Sequence, residues 1–446
     1  MFVDSRSTLA NWFEAKVYAG YGHLLPASGL CAILLTLPIV VRLPVPILDG
    51  RLTLLEPITI LTFAVWFLYR ARAGERLDLC PRVYVPLLAF LGAGFLSVLV
   101  ARNANAALVE LATYVNGALL LFLVHQIMTR SERGLRLGFA GLLTGAGAAI
   151  GAAAIGVGAI LLRFPLPVLT SDTGKLVGTF MAPNQLPSYM LVILPLMLYM
   201  AMRRRTVLLR VLAGCGALAA ALSIMATGSR SGVIAVAVIG FGYAFWRSRK
   251  KLRVVLILVA LAIGVLLGSV AGVFDRGLGP LGRSLTVFED ASSYIAAPER
   301  ADTVRFRNLQ AWAEIARTRP LLGVGVGNFR ILFTEIIPEA PRGFELHNAF
   351  LSVWAEMGLM GFIPFMIFLW PFGMIGLRCL IRWPTNPIEE CRAALAFGIL
   401  GNLIHQGFHM GLRQPIFWVG LGLLLALDCV ARRGEPEKLV AGGGAA

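Results

Sequence analysis

The sequence predicts an all-α polytopic membrane protein with about twelve transmembrane helices and one long polar loop between the ninth and the tenth. Three observations carry this prediction. Of 446 residues, 58% are hydrophobic and only 14% are charged, and the mean hydropathy is +0.78, outside the range of soluble globular chains. Apolar runs of roughly 20 residues, enough to cross a hydrocarbon core about 30 Å thick as a helix, follow one another along almost the whole chain. A single interval, Phe274 to Leu346, is too polar and too broken to cross a bilayer.

The runs are Leu24 to Val41, Leu52 to Tyr69, Val83 to Val100, Leu108 to Ile127, Leu135 to Leu162, Leu186 to Met202, Val207 to Ala226, Gly232 to Trp246, Leu252 to Phe274, Phe350 to Leu377, Ala393 to Met410 and Pro415 to Val430. The chain therefore divides into residues 1–273 with helices one to nine, the loop 274–346, residues 347–431 with helices ten to twelve, and a tail 432–446. The tail is charged and then Gly/Ala-rich, a composition expected to be disordered. The fifth run contains the pairs Gly141/Gly145 and Gly147/Gly151, a small-xxx-small spacing that lets helix backbones approach closely.

The net charge of +16 does not point to nucleic acid, because the basic residues sit in short clusters between apolar runs instead of on one exposed face. They read as topology signals and as contacts to anionic membrane lipids. With the N-terminus inside, the inner short loops carry nineteen Lys and Arg and the outer ones seven. Both termini are then cytoplasmic and the long Arg-rich loop is external. The first twenty residues include Asp4 and Glu14 and lack a short apolar core with a small-residue cleavage site, so no cleaved signal peptide is expected. None of the six cysteines falls in the long loop, so neither a disulfide framework nor a zinc domain is expected there.

Within the loop, Asp302 or Thr303 is a fitting N-cap for a helix that Pro320 follows. Leu309, Trp312 and Ala316 recur at helical spacing and give it a greasy side. Arg305 shares that side, whereas Arg307 lies in line with Ala311 and Glu314, towards water. The glycines of Gly323-Val324-Gly325-Val326-Gly327-Asn328-Phe329 lack both a preceding strand and a following Lys-Ser/Thr, so they read as a tight turn approaching a ligand or another helix and not as a nucleotide loop.

The groups able to do chemistry collect at the external ends of the helices. His347 stands at the mouth of the tenth helix, where an imidazole can accept a proton near neutral pH; the alternative is a capping or interface histidine. Arg230 lies in the short turn Thr227-Gly228-Ser229-Arg230-Ser231-Gly232, whose Gly and Ser residues suit an oxyanion; the alternative is snorkelling to lipid phosphate. Lys175 and Arg413 are further external cations, and together with Arg230 and Arg305 they suit a phosphate or diphosphate. His405 and His409 are spaced i, i+4 on the eleventh helix, for which packing or hydrogen bonding is favoured over a metal; His409, nearer the outer face, is a candidate cavity residue. Scattered external carboxylates show no ligand rhythm, so no metal and no cofactor is expected.

Gly178-Thr179-Phe180 with Asn184, the turn around Arg230, the glycine turn at Gly323, and His347-Asn348 followed by Glu356-Met357-Gly358-Leu359-Met360-Gly361 together resemble the bacterial O-antigen ligase and polymerase superfamily, over roughly Gly178 to Met410. The resemblance implies a GT-C-like fold with its active site on the periplasmic side of the inner membrane. It also implies an undecaprenyl-diphosphate-linked glycan donor and metal-independent, inverting transfer. His347 would be the base, and Arg230 with a loop-helix arginine, Arg305 or in reserve Arg307, would hold the diphosphate. Lys175, Asn184, Ser229, Asn348, His409 and Arg413 are the further substrate-binding candidates. The leading expectation is a ligase that uses lipid A-core as acceptor. A polymerase with the same donor is the runner-up, ahead of an O-oligosaccharyltransferase or a polysaccharide transporter.

Overall fold

The computed structural model describes residues 24–43, 53–74, 77–162, 164, 166, 168–171, 175–203, 206–247, 303–336, 346–382, 384 and 386–432. Among them are thirteen helices: α1 Leu24–Thr36, α2 Leu55–Ala73, α3 Pro81–Val98, α4 Ala104–Arg130, α5 Glu132–Leu161, α6 Gln185–Arg203, α7 Val207–Ala226, α8 Arg230–Arg247, α9 Thr303–Thr318, α10 Phe329–Ile336, α11 Ala349–Ile381, α12 Pro387–Gln406 and α13 Pro415–Arg432. Among the described residues there is no strand, only the isolated bridges Arg42 to Thr53 and Thr170 to Leu176. Seven helices, α3 to α7, α11 and α13, are long and apolar enough to cross a membrane, and α1 and α8 are shorter apolar helices. The protein is thus an all-helical, polytopic membrane protein. The expected run Leu252 to Phe274 and the tail from residue 433 lie outside the described residues.

Helix starts are written into the turns. Asn103, Ser131, Asn348 and Asn386 each cap a helix by accepting a backbone N–H two or three positions into it, and Pro81 and Pro387 occupy first-turn positions where a missing N–H does no harm.

Polar pairs sort to the two ends of the bundle. At one end Arg203 meets Glu390, Arg392 meets Asp428 at 2.9 Å, and Gln126 donates to the Asp78 carbonyl at 2.6 Å. At the other, Arg102 meets Glu335, Arg413 meets Glu110, and Asn348 donates to the Gly407 carbonyl at 2.8 Å. Pairs that the charge pattern assigns to one side are found at one end. That is the outcome expected when consecutive helices run up and down.

The glycine pairs of α5 behave differently from each other. A Cβ on Gly141 would lie 2.4 Å from the Cys31 carbonyl oxygen, and one on Gly145 2.8 Å from that of Leu35, so α1 packs backbone to backbone on this pair. Gly147 and Gly151 have nothing within 4 Å and make no such contact among the described residues.

The feature that positions the site is a break in α11. Gly358 has φ 60 and ψ −164, a conformation essentially restricted to glycine. Freed backbone groups in apolar surroundings cost several kcal/mol each unless they are paired again, and the loop ahead of α10 pairs them. Val324 and Gly325 N–H donate to the Ala355 and Glu356 carbonyls at 3.0 and 2.9 Å, while Leu359 and Met360 N–H donate to the Pro320 and Leu321 carbonyls at 2.8 and 3.2 Å. The glycine turn, with Gly323, Gly325 and Gly327 all at positive φ, then reaches the α3–α4 connection. There Val326 N–H donates to Ser97 Oγ at 3.1 Å, and Asn328 Oδ1 accepts from Asn103 N–H at 2.8 Å.

Helix α9 forms where expected, but its buried side is turned. Asn308, Ala311 and Ile315 are buried, whereas Leu309 is 48% exposed. The phase is set by a protein partner: Ala311 and Ile315 share a small core with Val324, Phe329, Phe333, Leu346 and Ala355, and Trp312 meets Trp354 edge-on at 5.3 Å. A stripe of apolar residues counted from sequence cannot anticipate which face the glycine turn and α11 will occupy. Arg305 and Arg307 stand in the first turns of α9, and their side chains lie outside the described residues.

Candidate active site

Three helix termini meet at the loop end: the start of α8, the start of α11 and the end of α12. The turn into α8 is tight because Gly228 adopts φ 67 and Thr227 Oγ1 both donates to the Ile224 carbonyl and accepts Ser229 N–H. Ser229, a predicted substrate ligand, is buried, and its hydroxyl accepts Gly232 N–H at 3.3 Å; it serves as the cap of α8. Arg230 is therefore the first residue of α8, half-buried, at a helix N-terminus whose dipole also favours an anion.

The next residue, Ser231, reaches α12: its Oγ lies 2.8 Å from His405 Nδ1, and His405 Nε2 lies 3.2 Å from the Asn184 carbonyl oxygen. A carbonyl only accepts, so Nε2 carries the proton and donates to it. His405 is fully buried and acts as a strut between α6, α8 and α12. Ser231→Ala is expected to strand this buried nitrogen and to destabilise the protein by about 1–3 kcal/mol, read as a lowered thermal midpoint of the detergent-solubilised protein. An unchanged midpoint would count against the strut.

His347 is half-buried between two anchored neighbours. Ser352 Oγ donates to the carbonyls of Leu346 at 3.2 Å and Asn348 at 2.8 Å. Asn348 accepts Leu351 N–H at 3.0 Å as the cap of α11 and donates to Gly407 at the end of α12. Asn348, predicted to bind substrate, thus spends its amide holding His347 in place.

His409 lies beyond the end of α12, not on it. Its ring stands 5.5 Å from that of His405, its Nε2 lies 3.0 Å from Gln414 Nε2, and it is within electrostatic reach of His347 and Arg413. Among the described residues no three His, Cys, Asp or Glu side chains gather as metal ligands.

The other predicted cations are placed unequally. Lys175 sits in the turn closed by the Thr170–Leu176 bridge, and Leu176 N–H donates to the Ala226 carbonyl at 3.2 Å; that turn therefore abuts the one carrying Arg230. Arg413 is turned inward, with Nε donating to Glu110, whose side chain is only 1% exposed. Its charge is met by protein carboxylates, so it is poorly suited to hold a phosphate.

Glu110 and Glu356 were not among the predicted site residues. The signal was present, since an acidic residue inside an apolar run is itself a functional flag. Asn184 contributes its carbonyl to His405, and a strut of that kind has no sequence signature.

Comparison with known proteins adds one finding. Residues 215–366 match the protein family described as O-antigen ligase (Wzy_C). The match starts in α7 and ends in α11, so it contains Arg230, the glycine turn, His347 and the break at Gly358. No curated protein matches the chain.

Proposed function

We propose, from the match of residues 215–366 to the O-antigen ligase family, that this protein is a member of that superfamily and a glycosyltransferase moving a polysaccharide from undecaprenyl diphosphate to lipid A-core. The loop end of the bundle faces the periplasm of the inner membrane, and both termini are cytoplasmic. His347 accepts the proton of the acceptor hydroxyl as its oxygen attacks the anomeric carbon from the face opposite the diphosphate. The carbon–oxygen bond to the diphosphate breaks with inversion, and Arg230, with Arg305 or Arg307 of α9 and with Lys175, holds the departing charge. Guanidinium groups supply the stabilisation that a metal gives in other enzymes.

The observation that carries this reading is the shared anchorage of base and cation. Ser231, next to Arg230, bonds His405, and Asn348, next to His347, bonds Gly407. Two groups more than a hundred residues apart are thereby referred to one turn at the end of α12. Such referral to a rigid element is what positioning catalysis requires.

Arg230→Ala is expected to remove charge-assisted hydrogen bonds worth about 1.5–3 kcal/mol, which raises the donor KM by roughly tenfold to a hundredfold. Transfer assayed with purified protein, lipid-linked donor and lipid A-core tests both claims. Loss of the gene discriminates the acceptor: full-length chains stranded on the carrier lipid support the ligase, whereas a single repeat still attached to core supports a polymerase. A donor KM unchanged in Arg230→Ala counts against the diphosphate site.

A further inference from the structure

Glu356 ends the first half of α11, two residues before the break. The residue is 4% exposed. The carboxylate accepts the backbone N–H groups of Gly327 and Phe329 and faces both Glu110 and Arg413, yet its Oε2 has no hydrogen-bond partner among the described residues. A buried carboxylate oxygen without a donor is a costly arrangement in a folded protein unless a ligand completes it.

That oxygen belongs to a residue lining a small cavity, bounded also by Phe329, Arg330, Leu346, Ser352 and Arg413. Leu346 directly precedes His347, so the cavity adjoins the proposed base. Its size admits one hydroxyl group or one water, not a sugar ring. Its charge does not favour an anion, because the two carboxylates Glu356 and Glu110 balance the two guanidinium groups Arg330 and Arg413. What fits is an uncharged hydrogen-bond donor.

We propose that this cavity is the subsite for a hydroxyl of the acceptor saccharide, with Glu356 Oε2 accepting its hydrogen bond. The inference rests on the transferase reading above and adds the acceptor side of it: the acceptor is steered by a hydroxyl other than the one that reacts, held beside His347. Ligase and polymerase alike offer such a group. Glu356 is a binding residue in this scheme, and the glycine turn is the means by which its carboxylate is fixed.

The test uses the full-length protein in proteoliposomes, lipid-linked donor, and a set of acceptors each lacking one hydroxyl. Wild-type protein is expected to disfavour one of these by at least tenfold in kcat/KM, and Glu356→Gln to lose that preference while keeping its donor KM. Met410 also lines the cavity; Met410→Phe, which fills it while leaving residue 356 unchanged, is expected to raise the acceptor KM at least tenfold with donor KM unchanged, and it decides the matter if Glu356→Gln fails to fold. Wild-type protein that transfers glycan, with both variants showing wild-type acceptor KM and preference, reduces the cavity to a water site and overturns the subsite alone. Wild-type protein that transfers nothing overturns the transferase reading and the subsite with it.

Discussion

His347→Ala is expected to lower glycan transfer by about 10²–10⁴, the range of a positioned general base, while leaving folding and donor binding intact. The bonds that shape the start of α11 come from its neighbours: Ser352 to the Leu346 and Asn348 carbonyls, Asn348 to Leu351 and to Gly407. Shortening residue 347 removes none of these. In the proposed reading donor binding depends on Arg230, which is carried by α8, whose next residue Ser231 contacts His405. The two functions are therefore separable by mutation. Transfer measured beside donor binding, on variant protein with a wild-type thermal midpoint, checks this; near-native turnover would exclude His347 as the base.

Gly358→Ala is expected to be the most damaging added methyl among the described glycines. An added Cβ would sit 2.1 Å from the Leu321 carbonyl oxygen and 2.2 Å from its carbon, with no flexible side chain to yield. Its φ of 60 with ψ −164 adds about 1–3 kcal/mol of backbone strain for any residue with a Cβ. Relief means separating the glycine turn from α11, which opens the four backbone bonds between residues 320–325 and 355–360 in surroundings where water cannot replace them. A loss of more than about 3 kcal/mol is expected, together with loss of transfer, because α10 and His347 are both set by this junction. Gly147→Ala is the control: nothing lies within 4 Å of the added methyl, and in a helix interior it should be neutral or stabilising by up to about 1 kcal/mol. Equal thermal midpoints for the two variants would refute the account of the break.

Much of the candidate site was legible because its parts are defined locally. His347 follows a polar loop and precedes an apolar run, and Arg230 sits in a Gly/Ser turn between two apolar runs; both are statements about immediate neighbours, and both residues stand at helix termini of the same end. Arg413 shows the limit. As an external cation it suits an anion, but Glu110, some three hundred residues away in sequence, engages it inside the protein. Leu309 and Asn308 show the same limit on a helix face: hydropathy counts which residues are greasy, but the face that is buried is the one the partner presents.

Composition and run length by themselves determined that this chain crosses a membrane many times as helices, since the bilayer demands apolar segments of a given length whatever their partners. The alternation of consecutive apolar runs likewise accounted for which helix ends lie together. Only the tertiary structure decided that α11 breaks at Gly358, that Glu356 and Glu110 enclose Arg413, and that a turn at the end of α12 ties Arg230 to His347. Those facts depend on groups distant in sequence meeting in space, where a backbone left unpaired by one segment is completed by another.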